Sequence, residues 1–330
     1  MRIMILSDRW KDYQVLDTSG GEKLERWGNY ILLRPDPQVI WKTKHMSKEW
    51  KKLNGHYHRS NRGGGEWEFF DLPQEWQIHY SLPDAGITGS DEVTFNLKPF
   101  SFKHTGLFPE QAANWDFIYD TIKKEYIKRG VIKADAFSNV KNGLARIPED
   151  KALKTLNLFA YTGGATVAAA MAGSKVTHVD ASKGMVTWAK ENAKSSGLED
   201  APIRWLVDDC VMFVEREIRR GNKYHAIIMD PPSYGRGPKG ETWKMEESIY
   251  GFIKLVSQIL AEDALFLLIN MYTTGLSPAV MDYMVSTAII DRFGGEVMST
   301  EIGLPVRDTG LVLPCGSTCR WTKSVKVSLL

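Results

Sequence analysis

Asp230-Pro231-Pro232-Ser233-Tyr234 follows an apolar run, Ala226-Ile227-Ile228-Met229, that reads as a buried strand. Two consecutive prolines fix their own φ and hold the preceding residue extended, so the chain turns stiffly and cannot continue as a helix. The Asp230 carboxylate and the adjoining carbonyls are thereby aimed outward from the strand end. Such a corner can accept hydrogen bonds from an amino or ring N–H group. The neighbouring Tyr234 can stack on a planar base, an interaction worth about 1–3 kcal/mol. The corner suits a planar nitrogenous acceptor, to be oriented rather than protonated. The plainer alternative is a Pro-Pro turn beside an exposed tyrosine. Gly235, Arg236, Gly237, Lys239 and Trp243 follow as a flexible basic loop with one aromatic ring.

A second constellation lies upstream in "NLFAYTGGATVAAAMAGSKVTHVDAS", residues 157–182. A strand runs into Tyr161-Thr162-Gly163-Gly164, and the next strand ends at Asp180. Glycines permit positive φ and close approach of a ligand to the backbone. A carboxylate at the end of the second strand can accept both hydroxyls of a ribose. Asp208-Asp209, ending the third strand, can accept from an adenine amino group or can cap the helix that follows. The dinucleotide fingerprint G-x-G-x-x-G is absent, as is a P-loop lysine, which argues against a nicotinamide oxidoreductase. What is left is an adenosine site needing no pyrophosphate cradle. S-adenosylmethionine (SAM) meets that description, and its sulfonium is suited by carboxylates.

These residues need a scaffold that gathers strand ends. From Thr155 onward, strands at 155–160, 174–180, 202–207, 224–230, 264–270 and 295–304 alternate with helices at 164–172, 182–196, 209–220, 245–260 and 277–292. Continuous apolar strands alternating with helices predict a mostly parallel sheet covered on both faces. A closing strand is expected near 318–325, and Ser277-Pro278 supplies a cap and a first helical residue. Trp115, Ile118, Tyr119, Ile122 and Tyr126 recur at helical spacing. Residues 131–153 read as a connector with short elements. Residues 1 to about 105 read as β-rich, with strands in "NYILLR", "EWEFFDL", "WQIHYSL" and "VTFNLKPF".

The 330 residues carry a net charge of +2 and 43% hydrophobic residues, an ordinary globular balance. Charge is local. Residues 41–65 hold seven Lys/Arg against one acid, Glu49, with Trp41, Trp50 and Tyr57 interleaved. That is an RNA-binding footprint, or a solvated hairpin, or a subunit contact. Three cysteines give no disulfide framework, and neither a signal peptide nor a membrane-spanning run is visible. A cytoplasmic protein is expected. No metal is expected either: His178 lies within a strand, and His45, His56 and His58 have no cysteine or acidic cluster beside them in the sequence.

Four segments carry a family resemblance. "NLFAYTGGATVAAA", "VTHVDASKGMVTWAKENAKSSGL" and "IIMDPPSYGRG" are similar to the class I SAM-dependent methyltransferases. Within that class they resemble the bacterial family that includes large-subunit ribosomal RNA methyltransferases of the cytosine-C5 and guanine-N7 types. "HTGLFPEQAANW", residues 104–115, resembles the segment before that family's catalytic domain. The resemblance runs from about residue 55 to 323. It implies a Rossmann-like α/β fold with a seven-strand sheet at 106–330, behind a small β-rich domain at 1–105. It also implies SAM contacts near Phe108, Gln111, Phe159, Tyr161, Thr162, Gly163, Asp180, Ser182, Asp209 and Asp230.

Two features depart from that family. The front region is too short for a PUA-type RNA-binding module together with a second β domain. The fifth strand ends "LLINMYTTGLS" without the cysteine that cytosine-C5 chemistry requires, and Pro314-Cys315 stands far along the chain. The expectation is therefore direct in-line methylation of a base nitrogen in RNA, without a cysteine nucleophile, with Asp230, Pro231, Pro232 and Tyr234 at the reacting end. A protein or small-molecule acceptor, or a SAM-binding protein without catalysis, is the alternative. The exposed aromatics permit a homo-oligomer.

Overall fold

The computed structural model describes residues 4–60, 64–84, 89–100, 103–132, 147–236, 242–273 and 275–323. Gly237 and Lys239 of the basic loop, and most of the expected connector, lie outside the described residues. The front region contributes β1 (Ile5–Leu6), β2 (Tyr13–Ser19), β3 (Glu22–Trp27), β4 (Tyr30–Pro35), β5 (Gly55–Arg59), β6 (Gly65–Phe69), β7 (Trp76–Ser81) and β8 (Glu92–Leu97). Strands β2 to β6 form one sheet in chain order, and β7 and β8 form a hairpin. β1 does not join them: it pairs parallel with a strand of the large sheet, setting Ile5 beside Ile302.

Helix α1 (Ala112–Lys128) leads into the alternating region. There follow β9 (Lys154–Leu158), α2 (Gly164–Met171), β10 (Lys175–Asp180), α3 (Lys183–Ser195), β11 (Ile203–Val207), α4 (Cys210–Arg220) and β12 (Ala226–Met229). A short hairpin of β13 (Tyr234–Arg236) and β14 (Thr242–Lys244) precedes α5 (Met245–Ser257), β15 (Phe266–Met271), α6 (Pro278–Phe293), β16 (Glu296–Pro305) and β17 (Val312–Thr322). Ser277 occupies the cap position of α6 but its hydroxyl makes no capping bond, so Pro278 is the start signal that acts there.

The large sheet has the order β1-β16-β17-β15-β12-β9-β10-β11. Seven strands are the expected set, and β1 adds an eighth at the edge. β17 inserts antiparallel between β15 and β16. From β9 the chain steps outward to β10 and β11, then returns to lay β12 against the other side of β9. Strand order therefore reverses between β9 and β12, and open α/β sheets bind ligands at the carboxyl ends of strands at such a point. Both sheet faces are apolar: Ile228 and Phe266 join one core, while Leu156, Leu158, Ile227 and Met229 join the other.

Candidate functional site

The loops leaving β9 and β12 carry the two constellations read from the sequence, and the reversal places them side by side. After β9 the backbone enters the left-handed region at two non-glycine residues, Phe159 (φ 54°) and Tyr161 (φ 51°). Strain of that kind persists only where the surroundings fix it, and here they do. Asp180 at the end of β10 accepts the Tyr161 N–H through Oδ2 and the Ser182 N–H through Oδ1, both at 2.8 Å. Thr162 donates its hydroxyl to the Gly106 carbonyl at 2.6 Å, tying the loop to the segment before α1. Gly163 and Gly164 serve packing: a Cβ on Gly163 would stand 2.9 Å from Cβ of Ala189, and one on Gly164 would stand 2.7 Å from the Trp115 ring. Both also line the narrow extension of the cavity described below.

A cavity of about 580 Å³ opens at this point, within the range of small-molecule sites. One end is lined by Phe159, Tyr161, Asp180 and Ala181, and the adjoining floor by Phe108, Asp230, Pro231, Pro232 and Ser233. Phe108 lies 5.2 Å from the Tyr161 ring and 5.7 Å from that of Tyr272. A narrow extension lined by Gln111, Asn157, Thr162, Gly163 and Asp230 continues beneath.

The remaining wall was not legible from motifs. The front sheet supplies Lys23, Arg34, Asp36, Pro37 and Gln38; the segment before α1 supplies Lys103, His104 and Glu110; β17 supplies Cys315. Cys315, far from Asp230 in sequence, thus shares its cavity, because β17 is inserted next to β15.

The electrostatics are set by burial. Burial raises the Asp230 carboxyl to about 7, helped by the negative Glu110 nearby. Glu110 is itself buried, and its carboxyl is raised for the same reason. Burial also raises Asp180, against the opposing pull of its two backbone N–H donors. Lys103 is lowered to about 8, by burial first and then by Lys23. Burial pushes the Cys315 thiol well up, and Glu110 adds to the shift. The Arg34 guanidinium is pinned by Glu25 through two hydrogen bonds of 2.7 and 2.8 Å.

The residues fit SAM. A cavity of the right size presents a fixed carboxylate at the β10 end, where a ribose diol can donate, and aromatic rings beside it. The Tyr161 hydroxyl is buried without a hydrogen-bond partner, a polar atom that a ligand can satisfy. Asp230 and Glu110 supply negative charge for a cation.

Not every expected contact gathers here. Ser182 caps α3 by accepting the Met185 N–H. Asp209 caps α4 by accepting the Met212 N–H at 2.9 Å, and the Asp208 carboxylate is drawn to Arg216. Capping is thus realised by Asp209 alone, Asp208 being engaged by Arg216, and neither residue lines the cavity. Tyr234 is 54% exposed on β13, beyond Ser233 and outside the lining. In the basic segment, the Trp41 ring N–H reaches Thr18 and that of Trp50 reaches Asp17, while Tyr57 is buried. Those rings anchor the segment to the front sheet.

The family described as S-adenosylmethionine-dependent methyltransferase matches residues 105–271, just over half of the chain. A solved SAM-dependent methyltransferase from Agrobacterium tumefaciens is 32% identical, superposes with a TM-score of 0.81, and is matched over 98% of this chain and 94% of its own. A Streptococcus mutans structure (TM-score 0.64, 15% identity, 95% of this chain and 76% of that one) shares the fold. Among curated relatives, the ribosomal RNA large subunit methyltransferase K/L of Shewanella frigidimarina is 38% identical over 113 residues. That stretch is 32% of this chain and 16% of the relative, so the likeness spans a small part of the longer protein. Among the described residues no helix is long and apolar enough to cross a membrane.

Proposed function

Because the chain belongs to the S-adenosylmethionine-dependent methyltransferase family, we propose that it methylates a base nitrogen of RNA, with ribosomal RNA the first substrate to test. The observation carrying this reading is that Asp180 and the Asp230-Pro231-Pro232 corner open into one cavity. SAM, when bound, supplies a methyl group on a cationic sulfur that is a good leaving group. Asp180 would hold the ribose, with Phe159 and Tyr161 beside the adenine. Asp208 and Asp209 would act behind these, by fixing the start of α4.

Asp230 and the proline-corner carbonyls would accept N–H groups of the acceptor and turn its lone pair toward the methyl. A ring nitrogen needs no prior deprotonation, so alignment and exclusion of water do most of the work. Tyr234 would stack on the base from the rim rather than from within the pocket. Lys23 and Arg34, each paired with a buried acid, and Lys103 line the acceptor side, and ribosomal RNA is what the curated relatives are named for.

Methyl-labelled SAM offered in parallel to naked ribosomal RNA, assembled subunits, protein extract and small metabolites tests the proposal. Label in a purine or pyrimidine nitrogen of RNA is expected; label confined to protein or metabolites would overturn it. One observation favours a second reading. Cys315 lies in the cavity, so its sulfur could add to C6 of a pyrimidine. C5 would then take the methyl and lose its proton as the sulfur is expelled. In that case the product is a C5-methylpyrimidine and Cys315→Ser abolishes transfer. The nitrogen reading predicts that the same variant stays active, since the thiol is held protonated by burial.

A further inference from the structure

The front sheet carries a second cluster of chemistry away from this cavity. His56 and His58 are two residues apart on β5, so the pleat turns both side chains to one face. β6 pairs antiparallel and sets Glu68 directly opposite His56. On the other side, β4 lays Leu33 beside His56 and β3 lays Leu24 beside Leu33. Glu22, two residues before Leu24, therefore shares that face. His56 Nε2 is 2.7 Å from Glu22 Oε1, and His58 Nε2 is 2.8 Å from Glu68 Oε2. The two imidazole rings lie 3.8 Å apart, centroid to centroid. One ligand atom each from His56, His58 and Glu68 falls within 4.8 Å of the others.

We propose that His56, His58 and Glu68 bind one divalent transition-metal ion of the zinc type. Two imidazoles and one carboxylate are a three-ligand set that zinc accepts, with water in the fourth position. Half of the cluster faces solvent, which leaves that position open. Imidazole donors favour zinc, nickel and copper over calcium and magnesium, which seek oxygen. Glu22 completes the arrangement: with Nε2 of His56 committed to it, Nδ1 is the nitrogen left for the ion, and a carboxylate holding the far side of a ligating histidine raises its basicity.

The ion would also clamp the two neighbouring strands β5 and β6, with Glu22 of β3 reaching His56 across β4. β4 bears Leu33 toward the cluster and Arg34, the next residue, toward the catalytic cavity, so the site braces the acceptor wall from behind.

Zinc titrated into the full chain by calorimetry, with cobalt absorption as a second readout, tests the proposal. One ion per chain at low-micromolar affinity or tighter is expected, with the intense visible bands of four-coordinate cobalt. His56→Ala and His58→Ala should each abolish that stoichiometric site while leaving the metal-free far-UV spectrum and melting curve unchanged. Glu22→Gln should weaken it by about tenfold or more. Unchanged binding in the histidine variants, millimolar affinity, or only the faint spectrum of six-coordinate cobalt would each overturn the site. If a histidine variant unfolds, the milder Glu68→Gln decides by the same stoichiometry.

Discussion

Asp180 holds the backbone of Tyr161 across the gap between two strands, accepting its N–H at 2.8 Å. One carboxylate thus positions the strained loop and faces the cavity. Asp180→Ala should weaken SAM binding by about tenfold to a hundredfold, the range for a hydrogen bond to a charged group. Calorimetry measures this directly, and an unaltered affinity would remove Asp180 from the donor site.

Asp230 gives a pH signature with a definite sign. Its carboxyl is raised from the ordinary 3.8 to about 7, so the folded protein binds a proton in that interval that the unfolded chain has released. The stabilising contribution is whole below about pH 4 and is lost as pH rises through about 7. Asp230→Asn should flatten that part of the melting-temperature profile. Methyl transfer should rise through the same window in the wild type, as the carboxylate forms, and be low and flat in the variant. A transfer profile identical in both proteins would refute the role given to Asp230.

Glu25 behaves in the opposite way. Burial alone would raise its carboxyl, but Arg34 and Lys23, with hydrogen bonds from Arg34 and Tyr13, outweigh burial and hold it at about 2. Its contribution is present above pH 4.5 and lost as pH falls toward 2. Removing one partner of a buried pair costs about 3–5 kcal/mol, so Arg34→Met should be strongly destabilised in urea at neutral pH. A loss below 1 kcal/mol, on the order of an exposed pair, would contradict the burial of this network.

Gly164→Ala tests the packing role of the glycine pair. The added methyl meets the Trp115 ring at 2.7 Å, and overpacking of this kind costs about 1–3 kcal/mol. Reduced stability with SAM affinity kept in the folded fraction is the expected result. Lost affinity at full stability would return the glycine to the ligand site.

The alternating half of the fold was open to reading because each strand is a short apolar run bounded by turn residues and each helix is periodic; β10, expected at 174–180, spans Lys175–Asp180. The switch-point loops followed from that alternation. What stayed hidden depends on pairing between distant strands. "LPCGSTC" lacks a β-branched run, so the closing strand was expected at 318–325, whereas β17 begins at Val312 and brings Cys315 inward. Lys23, Arg34 and Asp36 show no motif at all and reach the cavity through the packing of the front sheet. The acidic partners of His56 and His58 sit on neighbouring strands, invisible in linear spacing. Asp209 shows the converse: a strand-end acid followed by a helix also reads as a cap, and Asp209 caps α4.

β17 and the front sheet, which furnish Cys315, Lys23, Arg34 and Asp36, both fall outside residues 105–271, the stretch matched by the family. On the function proposed above, the methyl-donor half of the pocket would lie within that stretch, and the half that would choose what is methylated would come from the segments flanking it. Two proteins alike over that stretch could then modify different molecules, and a chimera exchanging only the flanking segments should change its target without changing its cofactor.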